Sequence, residues 1–372
     1  MSHFFTQKSS FDSSSSQETF QCGQFLGKRF VLQSSWQRAI FLFGELGSGK
    51  TTFIKGLAAG IDLNLNIKSP TFQRLIEIPF FLNQENWTLA HFDIYRKADQ
   101  NLWQILQEKI KDQKTLTIIE WSQNLPCNFS FPQKRIEIYF DHQNNINKRK
   151  ILVKFFDPEV PTKKQAFDII EEFKTPLHVI AHQKGVLKVA YFLGQKILKQ
   201  GFLLDLNLVN IASFLHDFVR IINFPNLDFS KFKEKITFSK KAIWEKVRND
   251  FKNQHHALAA ADILQQRNFS SCAQVVAAHR SKRTLENKEM TLEEKIVYLA
   301  DKKILHDRLV SLSERFRDGA IRHPLKNESL RKKLRNNTLS IAKELFSLAG
   351  IKNEEEADNF LKKNWNNKYF NF

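Results

Sequence analysis

The sequence predicts two structural classes in tandem: an α/β domain on a mostly parallel sheet with an antiparallel edge, then an all-α helical bundle. Three observations carry this prediction. Strand-like and helix-like runs alternate up to Phe156, and Pro158 and Pro161 then break either periodicity. From about Lys163 onward the apolar residues recur at helical spacing. A chain of 372 residues exceeds a typical single domain, so two domains are expected.

Taken in order, the polar, Ser-rich start reads as a disordered tail over residues 1–16, with no hydrophobic run long enough for a signal peptide. Strands are expected at Arg38–Phe43, Trp87–Phe92, Thr115–Ile119, Arg135–Phe140 and Lys150–Phe155, with helices after the first two. The polar run 141–148 suggests a hairpin between the last two, hence the antiparallel edge. This α/β domain is assigned to residues 17–156, and a linker to 157–175. The bundle is assigned to 176–325, with helical patterns at His178–Gln200, Asn207–Asn223, Lys240–Arg267, Ala273–Ala278 and Leu292–Leu312. No alternating strand pattern is expected there, and 326–372 reads as a charged helical tail.

Composition narrows the function. The formal charge of +18 favours phosphate-bearing partners, nucleotides or nucleic acid, although a generally basic proteome gives the same figure. Cys22, Cys127 and Cys272 are far apart and form no C-x-x-C pair, which argues for reduced thiols and against a zinc-finger framework. No stretch approaches 18 uninterrupted apolar residues, so no membrane span is expected and the location is expected to be cytoplasmic.

Chemistry begins at Gly44-Glu45-Leu46-Gly47-Ser48-Gly49-Lys50-Thr51, which reads G-x-x-x-x-G-K-T between an apolar strand and a helical run that opens with Thr52. In a P-loop the glycines let backbone N–H groups face phosphate oxygens, and the helix N-terminus adds favourable dipole. Lys50 is expected on the outer phosphates and Thr51 on Mg²⁺. Ser69-Pro70-Thr71-Phe72 follows where many P-loop proteins keep a segment that senses the third phosphate. Asp93, in His91-Phe92-Asp93-Ile94-Tyr95-Arg96, is placed to reach Mg²⁺ directly or through water. Glu120 ends the apolar run Thr117–Ile119 as a Walker B acid does, at the strand edge where open sheets bind ligands.

Together G-E-L-G-S-G-K-T-T, S-P-T-F, H-F-D-I-Y-R and I-E-W resemble the bacterial ATPase family TsaE, also called YjeE, over roughly residues 17–156. The resemblance implies an α/β P-loop NTPase domain that binds ATP with Mg²⁺. It implies work beside a TsaB–TsaD pair in forming threonylcarbamoyladenosine (t6A) on tRNA, with tRNA contact direct or indirect. It places Lys50 on phosphates and Thr51 on Mg²⁺, Asp93 and Glu120 around the metal and the nucleophilic water, Thr71 as switch and Trp121 near the nucleotide. Phosphoryl transfer is mostly positioning and charge neutralisation, which a lysine, a metal and a carboxylate supply. Two departures, Ser122 after Glu120-Trp121 and Ser48 in the loop, remove no ligand.

The helical half holds His182, His216-Asp217, His255-His256, His279 and Asp301 on successive predicted helices. Neutral imidazoles and carboxylates converging in a bundle make a metal site. The series resembles the HD-domain phosphohydrolases over about residues 176–312, which implies an all-α HD-domain helical bundle. The resemblance places His182, His216, Asp217 and Asp301 as core ligands, and His279 with His256 as the pair that marks two-metal members. The register His256–Leu264 fits the family's small-residue helix better than a start at His255. Arg220 stands where the family often has a lysine. A mixed His/carboxylate set suits one or two divalent transition metals, Fe, Mn, Co or Ni. Arg280, Lys282, Arg283 and Lys302 flank the ligands and are candidates for holding phosphate.

Two function classes follow. One is a fusion enzyme, a TsaE-like ATPase joined to a metal-dependent phosphohydrolase acting on a nucleotide or phosphomonoester. The other is a nucleotide-switch binding module for TsaB–TsaD with a non-catalytic or sensing HD domain. The intact ligand set argues for the enzyme.

Overall fold

A computed structural model of the chain describes residues 9–32, 38–61, 74–96, 99–142, 148–224, 232, 234–286, 289–322 and 327–365. The described residues divide into two compact units, the first comprising Lys8–Pro158 with Leu198–Leu203 and the second Glu159–Ile197 with Leu204–Phe372.

The first unit contains β1 (Ser9–Ser13), α1 (Ser16–Leu32), β2 (Ala39–Phe43), α2 (Lys50–Ile61), β3 (Leu75–Leu82), β4 (Glu85–Asp93), α3 (Gln100–Lys111), β5 (Thr115–Glu120), β6 (Arg135–His142) and β7 (Arg149–Phe156). The strands form one sheet in the order β1-β7-β6-β2-β5-β4-β3. Its centre is parallel, β6, β2, β5 and β4 pairing in that order. Antiparallel pairs close both sides, β6–β7 and β7–β1 on one and β4–β3 on the other. All six residues of β5 are buried, as a strand covered on both faces requires. Alternation along β2 builds two cores. Ile40 and Leu42 pack with Leu26 and Phe30 of α1 and Phe53 and Leu57 of α2, whereas Ala39 and Phe41 pack with Leu102 and Leu106 of α3.

α1 and α2 approach so closely that only glycine fits between them. A Cβ on Gly56 would lie 2.0 Å from the Phe20 carbonyl oxygen, and one on Gly23 2.0 Å from that of Phe53. This contact fixes the helix that carries Lys50 and Thr51.

Two strands escape the sequence reading. Ser9–Ser13, assigned to a disordered tail, pairs with β7 through its backbone and buries a single large side chain, Phe11. One apolar residue in S-S-F-D-S leaves no period to detect. β3 contains Pro79, which argues against an interior strand; β3 is an edge strand, where a missing N–H is tolerated.

The second unit contains α4 (Lys163–Glu172), α5 (Leu177–Lys199), α6 (Leu206–Leu215), α7 (Phe238–Asp250), α8 (His256–Gln266), α9 (Ser270–Ala277), α10 (Leu292–Lys302), the two-residue strands β8 (Ile304–Leu305) and β9 (Arg308–Leu309), α11 (Leu312–Arg322), α12 (Glu328–Leu348) and α13 (Glu354–Asn364). α6 is buried along almost its whole length and is the central helix of this unit. α10 opens with a capping box, Thr291 with Glu294, whose carboxylate also accepts from the buried Arg283 at 3.0 Å.

Several boundaries differ from expectation. The stretch read as a linker contains α4, which buries Ala166, Ile169 and Ile170 behind a Thr162–Gln165 capping box. The helical pattern from Lys240 to Arg267 breaks after Asp250, with Asn253 left-handed at φ 66° and His255 capping α8. The run Leu292–Leu312 is interrupted by the β8–β9 hairpin, whose turn holds His306 at φ 58°. The region read as a charged helical tail contains two packed helices. α12 buries Ile341, Leu345 and Phe346, and α13 brings Glu354 and Asp358 onto the buried ammonium of Lys303. Among the described residues, no helix is long and apolar enough to cross a membrane.

Candidate functional sites

β2 delivers the chain into the P-loop, and α2 starts at Lys50. Gly44, Gly47 and Gly49 have φ of 144°, 75° and 101°, conformations that side chains resist. The Lys50 ammonium donates to the Gly44 and Glu45 carbonyls at 2.8 and 2.9 Å and lies 3.8 Å over the Trp121 ring. Burial lowers its pKa, against the opposing pull of Glu120, Asp93 and Glu45. The buried Ser48 donates its N–H to the Glu45 carbonyl, Leu46 is 77% exposed, and Thr52 lies in the first turn of α2.

Glu120 ends β5 directly beside Asp93, which ends β4. Its carboxylate accepts from the Thr51 hydroxyl at 3.1 Å and pairs with His91 Nε2 at 2.9 Å. Asp93 accepts from the Tyr95 N–H at 3.0 Å, and burial raises its carboxyl pKa despite that bond. Trp121 turns the chain at φ 60° and packs on Tyr95. Lys50, Thr51, Asp93, Glu120 and Trp121 therefore converge; Thr71 lies outside the described residues.

In the second unit, His182, His216 and Asp301 form one candidate metal triad and Asp217, His256 and His279 another, the ligand atoms of each lying within 4.8 Å of one another. α5 supplies His182 from its second turn, and α6, α8, α9 and α10 supply the others at or beside their ends. Each imidazole has its Nδ1 against an oxygen: His182 on the His306 carbonyl at 2.8 Å, His216 on that of Ser213 at 2.7 Å and His279 on that of Val276 at 2.6 Å. His256 Nδ1 lies 2.7 Å from Asn223 Oδ1. A backbone carbonyl only accepts, so Nδ1 carries a proton in His182, His216 and His279 and Nε2 is the ring atom turned toward the centre. The His256 ring also has the Arg220 guanidinium 2.7 Å from each of its nitrogens.

Burial lowers the His216 pKa to about 4, against the raising pull of Asp217, and holds His256 well below the ordinary histidine range. Burial disfavours ionised Asp217, yet His216, His256 and Arg220 hold its carboxyl well below the usual carboxylate range. Neutral imidazoles beside ionised carboxylates are the protonation states metal binding requires. His216 Nε2 is fully buried with no hydrogen-bond partner. This donor set fits divalent metal. His255 takes another part, its Nδ1 accepting the Ala257 N–H at the start of α8.

Sequence reasoning missed several residues here. His91 orients Glu120, and the amide of Gln123 pairs with both backbone polar groups of Gly44, at 3.4 and 3.1 Å. Asn223 and His306 anchor imidazoles, and Arg315 approaches Asp301. His91 lies inside the H-F-D-I-Y-R run, whereas the Gln123, Asn223 and His306 contacts span 79, 33 and 124 residues and leave no local signal. The basic residues expected around phosphate divide. Arg283 is buried on Glu294, and Arg280 pairs with Glu286 and donates to the Ala277 carbonyl, so both support the fold. Lys302 donates to Asp301 at 2.6 Å and to the His279 carbonyl at 3.1 Å, and Lys282 is exposed.

Residues 13–151 match the family described as threonylcarbamoyl adenosine biosynthesis protein TsaE, and residues 179–303 match the HD domain. Relatives named tRNA threonylcarbamoyladenosine biosynthesis protein TsaE include one from Nostoc sp. (strain PCC 7120), 32% identical over 114 residues, 30% of this chain and 65% of the relative. One from Bacillus subtilis (strain 168) is 35% identical over 97 residues, 26% of this chain and 57% of the relative. In both cases the chain spans less than two thirds of the relative's length. One from Treponema pallidum (strain Nichols) is 32% identical over 114 residues, 30% of this chain and 78% of the relative. With its P-loop, paired strand-end carboxylates and mostly parallel sheet centre, the chain belongs to the TsaE family, and it carries an HD domain after the TsaE region.

Proposed function

We propose that this chain is a two-centre enzyme: an ATP hydrolase supporting t6A formation on tRNA with a TsaB–TsaD pair, and a metal-dependent phosphohydrolase acting on a nucleotide or phosphomonoester. A cytoplasmic location goes with both activities. In the first centre the loop N–H groups and Lys50 bind phosphate oxygens, and Trp121 bounds the pocket. Thr51, Glu120 and Asp93 would hold Mg²⁺, which supplies charge neutralisation, while His91 fixes the orientation of Glu120 toward the attacking water.

In the second centre His182, His216, Asp301, Asp217, His256 and His279 would hold two divalent metals. Such metals supply Lewis acidity toward the attacking water and the phosphoryl oxygens. The observation that carries the reading is the convergence of these six side chains, with His182, His216 and His279 each held through Nδ1 by a backbone carbonyl. Elemental analysis of the full chain should find Fe, Mn, Co or Ni, and a screen of phosphorylated metabolites should give phosphate release that Asp217→Ala abolishes together with the bound metal. Unchanged metal content in Asp217→Ala would reject the ligand assignment. Metal without phosphate release from any nucleotide or phosphomonoester in the screen would reject the phosphohydrolase.

A further inference from the structure

We propose that Arg315, which no sequence motif marks, is a substrate-phosphate-binding residue of the HD centre. The inference rests on reading that centre as a phosphohydrolase. Arg315 lies near the start of α11, whose first residue, Leu312, donates its N–H to Glu354 of α13 at 2.6 Å. Glu354 also pairs with the buried Lys303, which follows α10, so the helix bearing Arg315 is tied to the helix bearing Asp301.

The Arg315 Nη2 is 3.9 Å from Asp301 Oδ1. That same oxygen lies 3.2 Å from His182 Nε2 and 3.8 Å from His216 Nε2. The guanidinium therefore stands at the rim of the first triad. A separation of 3.9 Å is too long for a hydrogen bond, so Asp301 does not consume this donor. Asp301 already has a close cation, since its Oδ2 accepts from Lys302 at 2.6 Å. Arg315 Nη1 is 3.5 Å from Asp318, and its Nε is buried with no hydrogen-bond partner.

The second triad has a counterpart. Arg220 lies 4.0 Å from Asp217 Oδ2, and its Nη1 is 2.7 Å from each ring nitrogen of His256. One guanidinium thus flanks each triad. Arg220 is engaged with His256, whereas Arg315 stands off its triad, and a planar fork of N–H donors matches the tetrahedral oxygens of a phosphoryl group. A residue that merely oriented Asp301 would contact it directly, as Lys302 does.

The test uses the metal-loaded full chain as wild type, Arg315→Ala and Arg315→Lys, with melting curves to confirm folding. Metal content is read by elemental analysis and inorganic phosphate affinity by titration calorimetry. Charge-assisted hydrogen bonds predict that Arg315→Ala loses about ten- to hundredfold in phosphate affinity at unchanged metal content, with partial recovery in Arg315→Lys. The KM for p-nitrophenyl phosphate should rise in parallel. Unchanged phosphate affinity in folded Arg315→Ala overturns the proposal, as does loss of metal, which would make Arg315 a positioning residue for Asp301. Wild-type protein that binds metal but no phosphate overturns the phosphohydrolase reading itself, and this proposal with it.

Discussion

Replacing Gly56 by alanine isolates the contact that holds the P-loop helix in place. In an open helix the substitution stabilises by about 1 kcal/mol, because glycine has the greater conformational freedom to lose. Here the new Cβ would sit 2.0 Å from the Phe20 carbonyl oxygen, 2.8 Å from its carbon and 3.0 Å from the Gln24 nitrogen, where ordinary contact begins at 3.4 Å. All three atoms belong to the backbone of α1, so no side chain can rotate away. The helices must part by more than an ångström, and overpacking of this kind costs about 1–3 kcal/mol. Because the obstacle is rigid, the upper end should outweigh the propensity gain. The net loss should be about 1–2 kcal/mol, or roughly 2–8 °C in the melting of this unit. Gly319→Ala in α11 is the control, since nothing lies within 4 Å of its added Cβ. Thermal melts of both variants should shift in opposite directions, and Gly56→Ala should also weaken ATP binding, because α2 carries Lys50 and Thr51. A Gly56→Ala protein as stable as Gly319→Ala, with ATP affinity intact, would refute the close approach of α1 and α2.

Two further expectations test other parts of the account. Glu120→Gln should keep ATP binding but lower turnover on the order of a hundredfold or more, since it removes the carboxylate that Thr51 and His91 orient; unaltered turnover would remove Glu120 from the mechanism. Tyr139, stacked on Phe43 just before the P-loop, has its hydroxyl pKa raised by burial and by donation to Glu137. In the unfolded chain it ionises near pH 10, so the unfolded state binds fewer protons above that pH and stability falls as pH rises. An absorbance titration at tyrosinate wavelengths should show one of the five tyrosines ionising late, and Tyr139→Phe should delete that step. Simultaneous ionisation of all five would contradict it.

Much of this was legible in the sequence because the relevant signals are local. The P-loop is contiguous, Glu120 closes an apolar strand, and each candidate HD ligand sits in or beside a recognisable helical run. Strands with a long apolar alternation were placed, but β1 offered one apolar residue and β3 contained a proline that only an edge accepts. The helical patterns at 240–267 and 292–312 ran straight through breaks, because left-handed Asn253 and His306 interrupt the backbone without interrupting the apolar spacing. At the sites, chemistry-bearing residues were found by type, whereas their supports were not. The carbonyl of His306 holding His182, 124 residues away in sequence, is backbone chemistry that any residue supplies. The basic residues near His279 show the converse. Arg283 looked available from sequence, yet Glu294 takes it once α10 folds alongside.

The central claim is that two independent centres operate in one chain. Measuring ATP hydrolysis and p-nitrophenyl phosphate hydrolysis on the same preparations of Lys50→Ala and Asp217→Ala tests it most directly. Lys50→Ala should lose the ATPase and keep the phosphatase, and Asp217→Ala should show the reverse. If either substitution abolished both activities in folded protein, the two-centre account would be contradicted.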